Sequence, residues 1–402
     1  MKNCDVLVVG AGIVGLTIAR EIKLRWPDRS IIVLEKEADV ALHASGRNSG
    51  VLHAGFYYEP SSLKAKLTST GNLQMHQFCE ERGIKVNRCG KLVVTASSDE
   101  LVSLATLYER GIANGVTLYI VTEREAREIE PRIHTVERAI YSPNTSSVDP
   151  VLVTRKVAEE CENLGISLIT GEVFINGEEQ QNSVRVKTSR RVMIAGALIN
   201  AAGLYADRVA HIFGVGTGLQ LQPFKGLYLY ANKSFGSLRT HVYPVPDLRN
   251  PFLGVHFTLA VNGRVKVGPT ATPALWREQY GWRDGFSVHE LAETTRTLIK
   301  IMAAPGSTIR KSAASEAAKY SKHFLVKQAA RLVPGTTVHQ FQGWGRPGIR
   351  AQLVDRSTMT LVSDFRIEKG SRSIHILNAV SPAFTSSLSF ASLVADELEQ
   401  LG

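Results

Sequence analysis

The first 35 residues of the chain change from one hydrophobic period to another and back. Asp5-Val6-Leu7-Val8-Val9 is a short apolar run typical of a buried parallel strand, and Leu16 to Ile22 places apolar residues at helical spacing. A second apolar run, Ile31 to Leu34, follows. The pattern therefore predicts a strand, a helix and a second strand, which together form one βαβ unit.

The turn between this strand and helix carries a G-x-G-x-x-G spacing, formed by Gly10, Gly12 and Gly15. The first glycine allows a tight turn, the second lets a pyrophosphate approach the backbone, and the third lets helix and strand pack closely. The helix N-terminus, at Ile13 and Val14, offers backbone N–H groups to phosphates. Glu35, 20 residues beyond Gly15, ends the second strand and would accept hydrogen bonds from ribose hydroxyls. We predict dinucleotide binding, the alternative being a glycine-rich turn in an ordinary βαβ unit.

The rest of the chain alternates further strands and helices. A polar, glycine-rich segment at 42–55 has the donors of a ligand-facing loop. As far as residue 169 we predict a helix over 61–83, a strand over 91–96, helices over 99–114 and 151–164, and a strand over 166–169. A hairpin of 183–188 with 191–194 follows, and then a strand from 197 that breaks at Ala202-Gly203 into a helix. Within 216–335 we predict strands and one helix near 288–303, and the chain ends with a strand over 373–378 and a helix over 385–398.

Elements of the dinucleotide-binding type thus occur at the start, the middle and the end of the chain. We predict an α/β fold with a discontinuous Rossmann-type FAD-binding domain and an inserted α+β substrate-binding domain. The FAD-binding domain would comprise 1–85, 145–215 and 340–402, and the substrate-binding domain 86–144 and 216–339. An NAD-dependent dehydrogenase usually completes its Rossmann unit contiguously, so the interrupted pattern favours FAD.

Composition limits the partners. The 402 residues carry 47 Lys and Arg against 37 Asp and Glu, a net charge of +10, without a basic run or a basic element studded with aromatics. We therefore expect no nucleic acid, and a solvated basic surface or a weak peripheral contact with an anionic membrane remain alternatives. Four scattered cysteines and scattered histidines predict reduced thiols and no metal site. No apolar stretch is long enough to span a bilayer, and no signal peptide is recognised, so we expect a cytoplasmic protein.

Longer motifs resemble one superfamily of flavoproteins. They are Asn48-Ser49-Gly50-Val51-Leu52-His53-Ala54-Gly55-Phe56-Tyr57-Tyr58, Ser62-Leu63-Lys64-Ala65, Tyr243-Pro244-Val245-Pro246, Pro251-Phe252-Leu253-Gly254-Val255-His256-Phe257-Thr258, Gly268-Pro269-Thr270-Ala271, Gly348-Ile349-Arg350-Ala351-Gln352 and Asn378-Ala379-Val380-Ser381-Pro382-Ala383. Nearly end to end, the chain resembles the D-amino-acid-oxidase and glycine-oxidase (DAO) superfamily, whose fold is of the glutathione-reductase type, and within it the L-2-hydroxyglutarate dehydrogenases.

The resemblance implies FAD as the cofactor, and because spacing alone identifies no cysteine or histidine as a covalent tether, we expect FAD to be bound non-covalently. The implied FAD contacts are Gly10, Gly12, Ile13, Val14, Gly15, Glu35, Lys36, Ser45, Asn48, Ser49, Val173, Ala202, Gly203, Gly348, Arg350, Pro382, Thr385, Ser386 and Ser387. The chain departs from the family pattern at four positions, with Arg47 for a more usual His, Ser61 for Gly, Val380 for Pro and Phe384 for Ala. Arg47 and Phe384 would lie at the substrate pocket and leave the exact acid open.

Three residues are the candidates for chemistry. His53 is the candidate general base, since removal of a hydroxyl proton at neutral pH suits a histidine. Contact with flavin or substrate, or a structural role, is its alternative. His256 is a substrate contact, or the base if His53 is not. Arg350 would hold a carboxylate and stabilise negative charge on reduced flavin. Lys64 and Tyr243 are weaker candidates for a second carboxylate.

The function that we predict is oxidation of an L-2-hydroxy acid, L-2-hydroxyglutarate above others, to the 2-oxo acid by hydride transfer to flavin N5. Electrons would then pass to a quinone, oxygen or another acceptor. The alternatives are an amino-acid oxidase of the glycine-oxidase or D-amino-acid-oxidase type, and a binding module whose FAD is structural. The sequence does not define the oligomeric state.

Overall fold

The computed structural model describes residues 2–247 and 254–401. Pro251, Phe252 and Leu253, which belong to one of the family-like motifs, lie outside the described residues. The described residues form strands β1 Lys2–Val9, β2 Ile31–Leu34, β3 Val51–Leu52, β4 Lys91–Val94, β5 Tyr119–Thr122, β6 Arg138–Ser142, β7 Ser146–Ser147, β8 Ser167–Ile169, β9 Phe174–Gln180, β10 Ser183–Thr188, β11 Val192–Asn200, β12 Leu219–Gly226, β13 Leu229–Ala231, β14 His241–Pro244, β15 His256–Leu259, β16 Val265–Gly268, β17 Thr272–Pro273, β18 Phe341–Trp344, β19 Gly348–Asp355, β20 Thr360–Leu361, β21 Arg366–Lys369 and β22 Ser373–Asn378. The α-helices of the same residues are α1 Ile13–Arg25, α2 Leu63–Glu81, α3 Leu101–Ala113, α4 Glu123–Ile129, α5 Pro150–Asn163, α6 Ala206–Ile212, α7 Val288–Ala303, α8 Thr308–Ala318, α9 Lys322–Ala330 and α10 Ser387–Glu399.

The first sheet is the one that the N-terminal pattern predicts. Its order is β21-β22-β11-β1-β2-β8, with the pairs β22-β11, β11-β1, β1-β2 and β2-β8 parallel. Side chains of β1 alternate between two cores, because successive residues of a strand point to opposite faces. Val6 and Val8 pack with residues of α1, α5 and α10, whereas Leu7 and Val9 pack under the β10–β11 hairpin.

A second large sheet has the order β18-β13-β16-β15-β14-β4-β6-β5 and is antiparallel except for the pair β14-β4. One face packs on α9 through Leu325 and Val326, and the other packs Val93 and Tyr243 on Leu104 of α3. A smaller antiparallel sheet, β17-β12-β19-β20, has β12 and β19 paired along their whole length.

Two details of the sequence prediction are wrong. The segment 216–335 contains α8 and α9 besides the predicted helix, because the alanine- and serine-rich α8 has no apolar stripe from which a helix could be recognised. The strand predicted from 197 and the hairpin strand predicted over 191–194 are one strand, β11. Gly196 continues that strand where a Cβ would lie 2.8 Å from the backbone oxygen of Asp5.

The predicted domain division stays a prediction. Two strand pairings join segments of different predicted domains: β18, from the segment 340–402, pairs with β13, and β19 from the same segment pairs with β12. Both partner strands belong to the segment 216–339. The strands that follow the boundary predicted near 340 therefore share sheets with strands of the segment 216–339.

Candidate active site

The turn after β1 brings three parts of the backbone into close contact. Gly10 has φ +106°, and a Cβ there would lie 2.4 Å from the backbone oxygen of Ala201 at the end of β11. A Cβ on Gly15 would lie 2.0 Å from the backbone oxygen of Gly10, so α1 packs directly on the turn. Both positions therefore require glycine. Ser45 completes the turn by accepting the Ile13 N–H at 2.8 Å.

Glu35 lies at the carboxyl end of β2 and is held by backbone donors. One carboxylate oxygen accepts the Ala11 N–H at 2.8 Å and the other accepts the Glu37 N–H at 3.0 Å. The carboxylate is thereby fixed beside the glycine turn, at the edge where ligands bind to parallel sheets. This is the arrangement that a ribose hydroxyl of a dinucleotide requires.

A cavity of about 790 Å³ runs from this turn to the segment before α10. Its size lies within the usual range for ligand pockets. Gly203, with φ +56°, lines it at a point where a Cβ would meet no protein atom within 4 Å. The open space over the Gly12–Val14 turn and at Gly203 fits the extended FAD molecule, whose AMP half belongs at Glu35.

Most residues that the sequence predicts for the site do line this cavity. They are Gly10, Gly12, Ile13, Val14, Glu35, Lys36, Ser45, Arg47, Asn48, Ser49, His53, Val173, Ala202, Gly203, Tyr243, His256, Gly348, Arg350, Pro382, Phe384 and Thr385. Gly15, Lys64, Ser386 and Ser387 lie outside the lining.

The four residues outside the lining have other contacts. Gly15 packs α1 on the turn, as described above. The Lys64 ammonium donates to the backbone oxygen of Ser363 at 2.5 Å, and burial lowers the pKa of Lys64 to about 8. Ser386 donates from its hydroxyl to the backbone oxygen of Pro382 and makes no side-chain cap of α10. Ser387 has a buried hydroxyl without a hydrogen-bond partner among the described residues.

His53 is held at the far end of the cavity, directly after β3. Its backbone N–H donates to the Thr385 hydroxyl at 3.1 Å, and its backbone oxygen accepts the Asn72 amide at 3.1 Å. Burial first, and then electrostatic interaction with Lys91, His256, His241 and Arg350, lowers the pKa of His53 well below its ordinary value. The ring is therefore neutral at neutral pH and can accept a proton.

His256 is the second neutral histidine in the wall. Its Nδ1 lies 2.8 Å from the backbone oxygen of Gly254, which fixes the proton on Nδ1 and leaves Nε2 as an acceptor. That Nε2 is buried without a partner among the described residues. The ring stacks on Tyr243 at 3.8 Å between centroids, and burial lowers the pKa of His256 to about 3.

Arg350 lies near the start of β19, opposite Phe224 of β12. A Cβ on Gly348, two residues earlier, would lie 2.2 Å from the backbone oxygen of Arg47, which holds this strand end against the 42–49 loop. Burial lowers the pKa of Arg350, while Tyr58 and Tyr228 act in the opposite direction. A buried guanidinium in a cavity wall is suited to an anionic ligand.

Arg47 and Phe384, the positions of departure, both line the cavity. Arg47 donates to the backbone oxygen of Leu42 at 2.6 Å, and its guanidinium stacks over Tyr280 at 4.1 Å. These contacts hold the Arg47 side chain against the wall. Phe384 is part of that wall and packs on the core of α1 and α10.

Sequence reasoning missed several residues near His53. Tyr228 lines the cavity, and Tyr58 shares a hydrogen bond with Ser381. Lys266 donates to the backbone oxygen of Ser49 at 2.7 Å, and burial lowers its pKa to about 8. Lys91 is fully buried at the start of β4. The one signal for Lys91 was a lysine that opens an otherwise apolar strand.

At the other end of the cavity, Glu37, His43 and Glu278 could together hold a metal ion. A cation already lies among them, since the Lys36 ammonium is 2.7 Å from Glu278 and 3.0 Å from His43. The cluster therefore has the contacts of an ion-pair network, and we assign no metal to it.

Comparison with known proteins agrees with this geometry. The sequence model of the family described as "FAD dependent oxidoreductase" (DAO) matches residues 5–397. The fold and the cavity thus belong to a flavoenzyme, an FAD-dependent oxidoreductase. The predictions of FAD as cofactor and of this fold class are confirmed.

Relatives of known name narrow the class. L-2-hydroxyglutarate dehydrogenase of Indibacter alkaliphilus is 38% identical over 401 residues, which cover 98% of this chain and 98% of that protein. The mitochondrial L-2-hydroxyglutarate dehydrogenase of Homo sapiens is 36% identical over 424 residues, which cover 99% of this chain and 89% of that protein. The chain belongs to the FAD-dependent oxidoreductases and, among them, to the L-2-hydroxyglutarate dehydrogenase family.

Solved structures show the same fold at lower identity. L-alpha-glycerophosphate oxidase of Mycoplasma pneumoniae, solved with FAD bound, has a TM-score of 0.77 at 21% identity and covers 100% of this chain and 95% of its own. Glycine oxidase of Geobacillus kaustophilus has a TM-score of 0.72 at 19% identity, with 100% and 95% covered.

Proposed function

We propose that this protein oxidises L-2-hydroxyglutarate to 2-oxoglutarate and that His53 is the general base. The observation that carries the proposal is a cavity wall that contains the buried Arg350 guanidinium and two neutral histidines, of which His53 is close enough for the Arg350 charge to lower its pKa. A carboxylate beside Arg350 and a hydroxyl beside a neutral histidine are the two groups of a 2-hydroxy acid. The named activity of the relatives supports the same substrate.

The residues would share the work as follows. Arg350 binds the carboxylate next to the reacting carbon and orients the substrate. The neutral ring of His53 accepts the hydroxyl proton as the carbonyl forms. Bound FAD supplies the acceptor for the hydride that leaves the same carbon, so the acid loses two electrons and two hydrogens in all. Thr385 holds the backbone of His53, and thereby the position of the base.

Substrate binding would itself strengthen the base. In the protein alone, the neighbouring Lys91 and Arg350 charges disfavour a proton on His53. A dianionic substrate offsets these charges and raises the pKa of His53 in the complex. The histidine thus stays unprotonated until the acid arrives and is a better proton acceptor afterwards. Tyr243, which lines the cavity and stacks on His256, is the candidate for contact with the second carboxylate.

The test of this proposal is product analysis without oxygen. L-2-hydroxyglutarate mixed with excess purified holoenzyme should yield one 2-oxoglutarate for each FAD reduced. The D enantiomer is the control, because it cannot present both the hydroxyl and the carbon-bound hydrogen to the same residues. Flavin reduction without 2-oxoglutarate, or equal reaction of both enantiomers, would contradict it.

We further propose that electrons leave to a quinone at an anionic membrane surface. Among the described residues no helix is long and apolar enough to cross a bilayer. The segment before α7 and α7 itself instead expose large apolar side chains, namely Trp282 at 86%, Phe286 at 54%, Val288 at 70% and Ile299 at 62%. We name these four residues the α7 patch.

Basic side chains accompany the α7 patch, with one exposed acid, Asp284, in the same segment. Arg283, Arg296 and Lys300 are exposed, and Arg296 and Lys300 line a shallow groove with Val288 and Ile299. Apolar side chains that enter the interface together with basic residues that face anionic headgroups are typical of peripheral membrane binding.

This second proposal is tested by vesicle co-sedimentation. The protein should bind phosphatidylcholine vesicles that contain phosphatidylglycerol, and the Trp282→Ser variant should bind several-fold less. Trp344→Ser is the matched control, since Trp344 is also exposed but lies in β18, outside the patch. Equal binding by both variants, or no binding of the natural protein to these vesicles, would refute a membrane contact at this surface.

A further inference from the structure

Lys91 has an unusual position in the second large sheet. It opens β4 between β14 and β6, where His241 and Ser142 are its partners in register. The residue is fully buried, and its ammonium has no hydrogen-bond partner among the described residues. Burial lowers the pKa of Lys91 to about 7. An unpaired buried cation costs stability, which calls for a reason for its presence.

Three aromatic rings take the place of a counterion. The ammonium lies 4.5 Å from the ring centroids of Phe56 and Tyr57, and 4.7 Å from that of Tyr243. These distances are those of cation–π contacts, which stabilise a desolvated charge in part. The three rings are called the Lys91 cage below.

One ring of the cage belongs to the active cavity. Tyr243 lines that cavity and also stacks on His256, so it touches both the buried ammonium and the cavity wall. The charge of Lys91 reaches further, since it lowers the pKa of His53, of His241 and of His256, in each case after the larger effect of burial. Lys91 thus lies behind the wall and does not line the cavity.

Among the residues that the structure describes, no carboxylate acts on the pKa of Lys91, which burial lowers. The titratable groups that face Lys91 are His241 and Tyr243 on β14, His256 on β15, and His53 and Tyr57 on the segment after β3. None of them is a carboxylate, and among the described ion pairs none involves Lys91. The negative charge that would complete the arrangement has to come from the ligand.

We propose that Lys91 is a positioning residue whose charge, behind Tyr243, is completed by the anionic substrate, so that binding of a dicarboxylate is coupled to protonation of Lys91. The proposal rests on the proposed function, which supplies the class of ligand, and adds Lys91 as a residue whose charge stabilises the bound anion. An anion in the cavity favours the ammonium form of Lys91. The affinity for a dicarboxylate is then highest below the pKa of Lys91 in the protein without ligand, about 7, and falls as the pH rises above that value.

The test measures the dissociation constant of glutarate, an unreactive dicarboxylate, from the change in the flavin spectrum of oxidised holoenzyme. In the natural protein this constant should be flat below pH 7, rise by at most about tenfold per pH unit above it, and level off roughly 10- to 30-fold higher, at the affinity for neutral Lys91. Lys91→Arg keeps a charge that does not titrate, so its affinity should stay tight at high pH. Lys91→Met loses the charge and should bind roughly 10- to 30-fold more weakly at pH 6, with little change as the pH rises.

Each outcome is informative. A flat profile of the natural protein from pH 6 to 9 refutes the proposal without any variant, as does an unchanged pH dependence in Lys91→Arg. If Lys91 were merely structural, both variants would retain less FAD or melt at a lower temperature. Glutarate binding by the natural protein would then show no pH dependence that Lys91→Arg removes. If the proposed function is wrong instead, 2-hydroxy acids will not reduce the flavin, whatever the profile for glutarate.

Discussion

Replacement of Arg350 by lysine tests how the substrate carboxylate is held. A guanidinium donates two parallel hydrogen bonds to a carboxylate, whereas an ammonium is a point charge. Loss of one charge-assisted hydrogen bond is worth about 1.5–3 kcal/mol, or roughly 10- to 150-fold in the dissociation constant. The expected result for Arg350→Lys is an increase in that range, with FAD still bound.

The surroundings of Arg350 add a dependence on pH. Burial in this region lowers the pKa of Lys64 to about 8 and that of Lys266 to about 8. A lysine in place of Arg350 would be desolvated in the same way, so it should lose its charge as the pH rises through that region. The loss of affinity should therefore be larger at pH 9 than at pH 6.

The assay is anaerobic stopped-flow reduction of the flavin at increasing concentrations of L-2-hydroxyglutarate, which separates the dissociation constant from the limiting rate. Arg356→Lys is the control, because Arg356 is exposed just beyond the end of the same strand. A dissociation constant of Arg350→Lys that equals the control at both pH values would refute the assignment of Arg350 to the carboxylate.

Three other predictions follow from the same site. His53→Gln should reduce its flavin about 10²–10⁴-fold more slowly with FAD content kept, and a parental rate would assign the base to His256 or to solvent. Gly10→Ala should be purified without FAD and melt at a lower temperature, because its Cβ would lie 2.4 Å from Ala201, whereas Gly165→Ala, at φ +80° with open space, should keep FAD. Acid precipitation should release all FAD into the supernatant, and yellow precipitated protein would show a covalent link.

The parts of the site that the sequence predicts are those made by neighbouring residues. The strand, glycine turn and helix from Val6 to Ile22 are local, and Glu35 follows from a fixed spacing in that unit. His53 and Arg350, which both line the cavity, were predicted from motifs that resemble a family. The pattern could not show that Arg47 would turn to Tyr280, because that contact joins positions far apart in the chain.

The missed residues share a physical reason. Lys91 and His241 belong to β4 and β14, which are far apart in sequence and become neighbours only when the eight-stranded sheet forms, and Tyr228 lies directly before β13 of the same sheet. A strand pattern shows that such side chains alternate between faces, but not which faces meet. A lysine at the start of an apolar strand could have been noticed in the sequence. The aromatic rings around the Lys91 ammonium are visible only in the structure.

The central claim, oxidation of a 2-hydroxy acid by the flavin at this site, is tested most directly by anaerobic bleaching of the purified holoenzyme. The panel is L-2-hydroxyglutarate, L-lactate, glycine and a set of D- and L-amino acids, each followed by the loss of flavin absorbance. We expect L-2-hydroxyglutarate to bleach the flavin completely, L-lactate to do so far less efficiently, and the amino acids to leave it oxidised. Bleaching by an amino acid while every 2-hydroxy acid leaves the flavin oxidised would contradict the account and favour an amino-acid oxidase.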